Sequence, residues 1–136
     1  MRKVILIVAT VAVAVLALGS VAQAALTTGG PGDDEIVGTD HSDTILGRRS
    51  ADRLFGLGST DVINGGKGND LVVGGGEDEL SGAAGDDTIY TGTRTESDKW
   101  SDEIPCGSGT DTVYLSGQDL AAHNITTGAC ENLRNY

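Results

Sequence analysis

The chain has 136 residues and sets 20 Asp and Glu against 9 Lys and Arg, for a formal net charge of -11. Glycine is abundant, at 21 residues, and aromatics make up only 4%, so few large side chains are present to hold a core against this self-repulsion. Such a length has room for one small domain rather than a multidomain machine, and such acidity makes nucleic acid and anionic lipid poor partners.

Arg2 and Lys3 form a positive n-region, Val4 to Leu18 is an apolar run, and Ala22-Gln23-Ala24 has the small-x-small pattern of a cleavage site. Residues 1–24 therefore read as a secretory signal peptide cut after Ala24, with 25–28 as a short lead-in. A retained membrane anchor is the alternative, but the apolar run is short for a bilayer span. The mature chain is expected to be secreted, without a stable membrane span.

From Gly29 the chain aligns on itself with a nine-residue period: GGPGDDEIV (29–37), GTDHSDTIL (38–46), GRRSADRLF (47–55), GLGSTDVIN (56–64), GGKGNDLVV (65–73), GGGEDELS (74–81) and GAAGDDTIY (82–90). The sixth unit is one residue short, and a gap at its third position keeps Asp78 and Leu80 in register. Position six is then always Asp: Asp34, Asp43, Asp52, Asp61, Asp70, Asp78 and Asp87. Position eight is always a large aliphatic: Ile36, Ile45, Leu54, Ile63, Val72, Leu80 and Ile89. A linker or a disordered acidic segment has no reason to keep both positions in phase.

These units spell G-G-x-G-x-D-x-U-x, with U a large aliphatic, and over residues 29–90 the sequence resembles the RTX, or haemolysin-type, calcium-binding nonapeptide family. The resemblance implies an all-β fold, a parallel β-roll with two nonapeptide repeats per coil. It also implies Ca²⁺ between successive turns, bound by the position-six carboxylates and turn carbonyls. The residue types agree with this. Glycines at positions one, two and four permit a turn with positive φ and close approach of carbonyls. A three-residue x-U-x strand is stable only when stacked. Stacking alternate units makes one acidic edge of Asp34, Asp52, Asp70 and Asp87 and another of Asp43, Asp61 and Asp78, ladders that favour a hard dication with oxygen ligands, Ca²⁺ over Mg²⁺.

Several units depart from the pattern. The second has Asp40 and His41 at positions three and four; the third has Arg48, Arg49 and Ser50 at positions two to four and Arg53 after its Asp; the seventh has Ala83 at position two. Full calcium occupancy is not expected beside them. The arginines either balance Asp52 as an internal salt bridge or are solvated.

Residues 91–105 break the repeat and are expected to form a loop excursion, with Trp100 covering the apolar core. CGSGTDTVY (106–114) restores the period, adding Asp111 to the metal set and Val113 to the core. Residues 106–136 read as a final repeat and C-terminal cap, with Tyr114, Leu115 and Leu120 contributing. Cys106 and Cys130 are the two cysteines, and an even count in an exported chain reads most simply as one disulfide. This end also resembles small secreted actinobacterial members of the family, which finish on a CGxGxDxV unit and a Cys-Glu pair, here Cys130-Glu131. By that resemblance the bond clamps the terminal segment onto the last coil.

No GxSxG, HExxH, P-loop, dinucleotide or EF-hand pattern is present, His41 and His123 are far apart for a zinc pair, and the register accounts for the carboxylates as cation ligands. Asn124-Ile125-Thr126 is a glycosylation sequon. The expectation is a secreted, non-enzymatic calcium-binding protein whose roll folds on, or is stabilised by, Ca²⁺. A calcium-dependent adhesion or scaffold module is the alternative, and an accessory domain of a secreted toxin or hydrolase a third reading, disfavoured for want of a large effector domain. Calcium ions are the one partner the residues specify.

Overall fold

The computed structural model describes residues 3–5, 24–92, 102–116 and 130–135. Most of the leader, Trp100, Leu120, His123 and the Asn124 sequon lie outside these residues. Two all-parallel sheets face each other. The first runs β1 (Lys3–Ile5), β3 (Asp34–Val37), β5 (Arg53–Phe55), β7 (Leu71–Val73), β9 (Thr88–Tyr90), β11 (Thr112–Leu115) and β12 (Asn132–Asn135). The second runs β2 (Leu26–Thr28), β4 (Thr44–Arg49), β6 (Val62–Lys67), β8 (Glu79–Ala84) and β10 (Gly107–Ser108). Consecutive repeats go to opposite sheets, so every second repeat pairs: Ile36 with Leu54, Leu54 with Val72, Ile45 with Ile63. The result is a parallel β-roll of about five turns.

The period explains the core. Within each three-residue strand the middle side chain points inward and its neighbours outward. Ile36, Leu54, Val72, Ile89 and Val113 from the first sheet meet Ile45, Ile63 and Leu80 from the second, each at most 1% exposed. The interior is thus only two aliphatic columns wide, and the strands depend on backbone ladders between coils. Those ladders continue through the turns: Gly38 N–H donates to Phe55 O and Gly56 N–H to Val73 O, at 2.7 and 2.9 Å.

The shortened sixth unit keeps its register. Glu79 pairs with Val62 and Leu80 with Ile63, while Gly75 stacks over the Leu57 carbonyl and Gly76 over that of Ser59. The missing residue is therefore absent from position three of the turn. Asp102, Glu103 and Ile104, within the stretch expected as a loop, make a further rung: Glu103 bridges Glu79 in parallel and Ile104 is 1% exposed in the core.

At the C-terminal end β12 lies parallel to β11, pairing Val113 with Leu133. The Cys106–Cys130 disulfide, with Cα atoms 5.4 Å apart, ties this strand to the last coil. Leu115 is buried there. The Tyr114 ring stacks on that of Tyr90, centroids 4.5 Å apart. Among the described residues no helix is long and apolar enough to cross a membrane.

Candidate metal centre

The eight aspartates singled out by the repeat, Asp34, Asp43, Asp52, Asp61, Asp70, Asp78, Asp87 and Asp111, are all buried, at most 5% exposed. Asp34 opens β3 and each of the others immediately precedes a strand, and they form two columns. Asp34, Asp52, Asp70, Asp87 and Asp111 lead into the first sheet, Asp43, Asp61 and Asp78 into the second. Within a column each Asp backbone N–H donates to the Oδ1 of the acid one coil on. Asp34 donates to Asp52, Asp52 to Asp70, Asp43 to Asp61 and Asp61 to Asp78, all at 2.8 Å. One carboxylate oxygen thus continues the backbone ladder across the turn.

Two acids complete these columns. Asp102 Oδ1 accepts the Asp78 N–H at 2.8 Å, and Glu131 Oε2 accepts that of Asp111 at 2.8 Å. Sequence reasoning passed over both. Asp102 and Ile104 stand nine residues before Asp111 and Val113, so the period was present, but their unit has no glycine to announce it. Glu131, two residues before Leu133, repeats the acid-x-aliphatic pattern with a longer acid.

The second carboxylate oxygen turns into the Gly-rich loop. At Asp34, Asp43 and Asp78 it accepts turn N–H groups, from Gly30, from Thr39 at 2.6 Å and from Gly75 at 2.7 Å. At Asp52, Asp61, Asp70, Asp87 and Asp111, Oδ2 is buried without a hydrogen-bond partner. Position-one glycines leave the space these oxygens occupy. A Cβ on Gly29 would stand 2.6 Å from both Asp34 Oδ2 and the Gly47 carbonyl, and one on Gly38 2.7 Å from Asp43 Oδ2 and the Gly56 carbonyl. A carboxylate oxygen of one coil and a carbonyl oxygen of the next therefore face a common small space.

Gly65→Ala tests that fit. Its Cβ would fall 2.9 Å from Asp70 Cβ and Cγ, and the backbone of β6, paired with β4 on one side and β8 on the other, has little room to yield. The expected loss is about 1–3 kcal/mol in chemical denaturation. Gly32→Ala, whose Cβ meets nothing within 4 Å, is the control and is expected to change stability by less than about 0.5 kcal/mol.

Departures from the glycine pattern leave the turn conformation in place. Gly66 and Gly68 have φ of 108° and 128°, and the non-glycine residues at the equivalent positions follow them: Arg48 at 85°, Ser50 at 76°, Leu57 at 83°, Ser59 at 77° and Ala83 at 75°. Each such residue costs about 1–2 kcal/mol, offset by the ladders on either side.

Burial is the largest influence on the carboxylates and raises Asp52, Asp61 and Asp70 to about 6. The backbone N–H from the preceding coil works against it, and neighbouring acids add to the rise. Asp87 and Asp111 are raised for the same reasons. The arginines do not relieve this. Arg48, Arg49 and Arg53 are exposed, and Asp52 Oδ2 has no partner, so the solvated reading holds and the internal salt bridge does not. Buried, charged oxygens without donors, beside carbonyls, are the donor set of a hard divalent cation. Side chains alone do not enclose one: among the described residues no group of three or more His, Cys, Asp or Glu converges. Any ion held here would have to draw its remaining ligands from backbone carbonyls.

The family model described as "RTX calcium-binding nonapeptide repeat (4 copies)" matches residues 28–58, 37–72 and 71–93. No curated protein and no solved structure matches the chain. Repeats of this kind are structural rather than catalytic. Period, coil register and inward carboxylates agree with that match, and the chain carries a haemolysin-type RTX calcium-binding nonapeptide-repeat domain folded as a parallel β-roll.

Proposed function

We propose that this is an exported calcium-binding protein whose roll is stabilised by Ca²⁺ held at the position-six acids. The observation that carries the reading is the set of five buried, partnerless carboxylate oxygens, on Asp52, Asp61, Asp70, Asp87 and Asp111, repeated in register along the roll. With turn carbonyls they would hold the ion; Asp34, Asp43 and Asp78, whose Oδ2 atoms already accept turn N–H groups, would do so more weakly. Bound Ca²⁺ supplies positive charge where burial and like-charge repulsion oppose ionisation. Export follows from the leader pattern of residues 1–24 and agrees with the secreted, extracellular character typical of the family. Outside the cell, calcium in the weak-site range of ~10⁻⁴ to 10⁻³ M suffices to load such sites.

Calorimetric titration of the oxidised chain with Ca²⁺ and with Mg²⁺, followed in parallel by circular dichroism, tests this. The expected result is saturable heat with several equivalents of Ca²⁺, a gain of β signal, and a much weaker response to Mg²⁺. Absence of binding up to about 10 mM Ca²⁺ overturns it and leaves the roll a calcium-independent scaffold.

A further inference from the structure

Arg48, Arg49 and Lys67 gather on one turn edge of a chain with only 9 Lys and Arg against 20 acids. The ladder between β4 and β6 sets Arg48 beside Gly66 and Arg49 directly beside Lys67. Neighbouring parallel strands lie about 4.8 Å apart, and like charges placed directly opposite destabilise a sheet. Among the described residues neither member of this pair makes an ion pair. All three side chains are exposed, and the carboxylate oxygen inside the same turn, Asp52 Oδ2, has no partner. Arg48 also holds a φ of 85° at a position where glycine is the strain-free choice.

A cavity accompanies the charge. Arg48 and Arg49 line an open concavity of about 310 Å³ with Gly30 and Pro31 of the preceding odd-numbered repeat. Pro31 has no N–H, and that of Gly30 is taken by Asp34 Oδ2, so among the described lining residues the two exposed guanidinium groups are the side-chain donors along its wall. The nearest exposed acid on that repeat, Asp33, accepts the Ala51 N–H through Oδ1.

We propose that this edge is a binding site for a tetrahedral oxyanion, sulfate or phosphate, free or as the monoester of a small ligand. Guanidinium forks match such oxygens in pairs, and Lys67 adds a third positive charge from the adjacent coil. The space admits one such group and part of its carrier. Screening over about 8 Å at physiological ionic strength lets a small ligand sense this cluster rather than the net charge, whereas a long polyanion meets the acidic remainder of the surface.

The test titrates the oxidised full chain, in calcium buffer with chloride as the background salt, with inorganic sulfate and with glucose 6-sulfate. Saturable binding with Kd on the order of 1 mM is expected. Arg48→Gly with Arg49→Gln is expected to weaken it about tenfold or more, although Arg48→Gly relieves backbone strain and should fold at least as well by circular dichroism. Lys67→Gln weakens it less. Arg53→Gln, on a guanidinium that sits 6.0 Å from the Phe55 ring centroid on the outer face of the first sheet, leaves it unchanged. Tighter binding of the ester assigns the site to a carried group, and equal binding to the free ion. No saturation with either probe, or equal loss in the Arg53→Gln variant, overturns the proposal. Calcium titration of the parent chain is read separately from its sulfate titration, so failure of the oxyanion site and failure of the calcium reading are separate results.

Discussion

Removing the Cys106–Cys130 bond, as the Cys106→Ala/Cys130→Ala double variant, is expected to lower stability by about 3.5 kcal/mol, the loop-entropy value for a closed loop of this size. The two cysteines are 24 residues apart in sequence. Alanine is the suitable replacement because Cys106 is fully buried, and a serine hydroxyl there would add an unsatisfied polar group. The loss should concentrate at one end. β12 is held by its ladder to β11, by the Asp111 N–H to Glu131 Oε2 bond and by the disulfide, whereas Leu133 is 49% exposed and contributes little burial. Hydrogen exchange should therefore show β11 and β12 opening early, with β4 and β6 still protected. Uniform loss of protection along the roll would mean that the cap and coils form one cooperative unit, and loss confined to β12 with a ΔΔG below about 1 kcal/mol would mean that the cap adds little.

Most of the architecture was legible because a single period carries both position and chemistry. Ile36, Leu54 and Val72 share a phase and therefore a column; Asp34, Asp52 and Asp70 share another and reach the turns together. The rest was hidden where the two signals separate. Asp102 and Ile104 keep the acid-x-aliphatic spacing without a Gly-rich turn, and their coil is completed across an interruption of the repeat. Glu131 substitutes a longer acid for Asp, trading the phase of the sequence for the reach of its side chain. The residue pattern also cannot express that each carboxylate has two tasks. Oδ1 extends the backbone ladder, a role any coil needs, whereas Oδ2 is the atom available to a cation. Nor do letters alone show that Arg48, Leu57 and Ala83 accept positive φ: neighbouring coils impose that conformation, and composition by itself marks those units as defective.

Opposite pH responses with and without calcium are the largest effect expected. In metal-free protein, burial raises Asp52, Asp61 and Asp70 from 3.8 to about 6, and Asp87 and Asp111 move in the same direction. Each folded carboxyl therefore holds its proton more tightly than the unfolded chain does. Its contribution to stability is fully present below 3.8 and is lost as pH rises through about 6. Several such groups in one ladder act together, since ionising Asp70 raises the cost of ionising both Asp52 and Asp87. Calcium inverts the slope, because only ionised carboxylates bind it and protons compete for the same oxygens. Melting temperatures followed by circular dichroism between pH 4 and 7 should fall with pH in chelator and rise with pH in about 10 mM Ca²⁺. Parallel slopes in the two buffers would show that the buried oxygens are not where the metal acts.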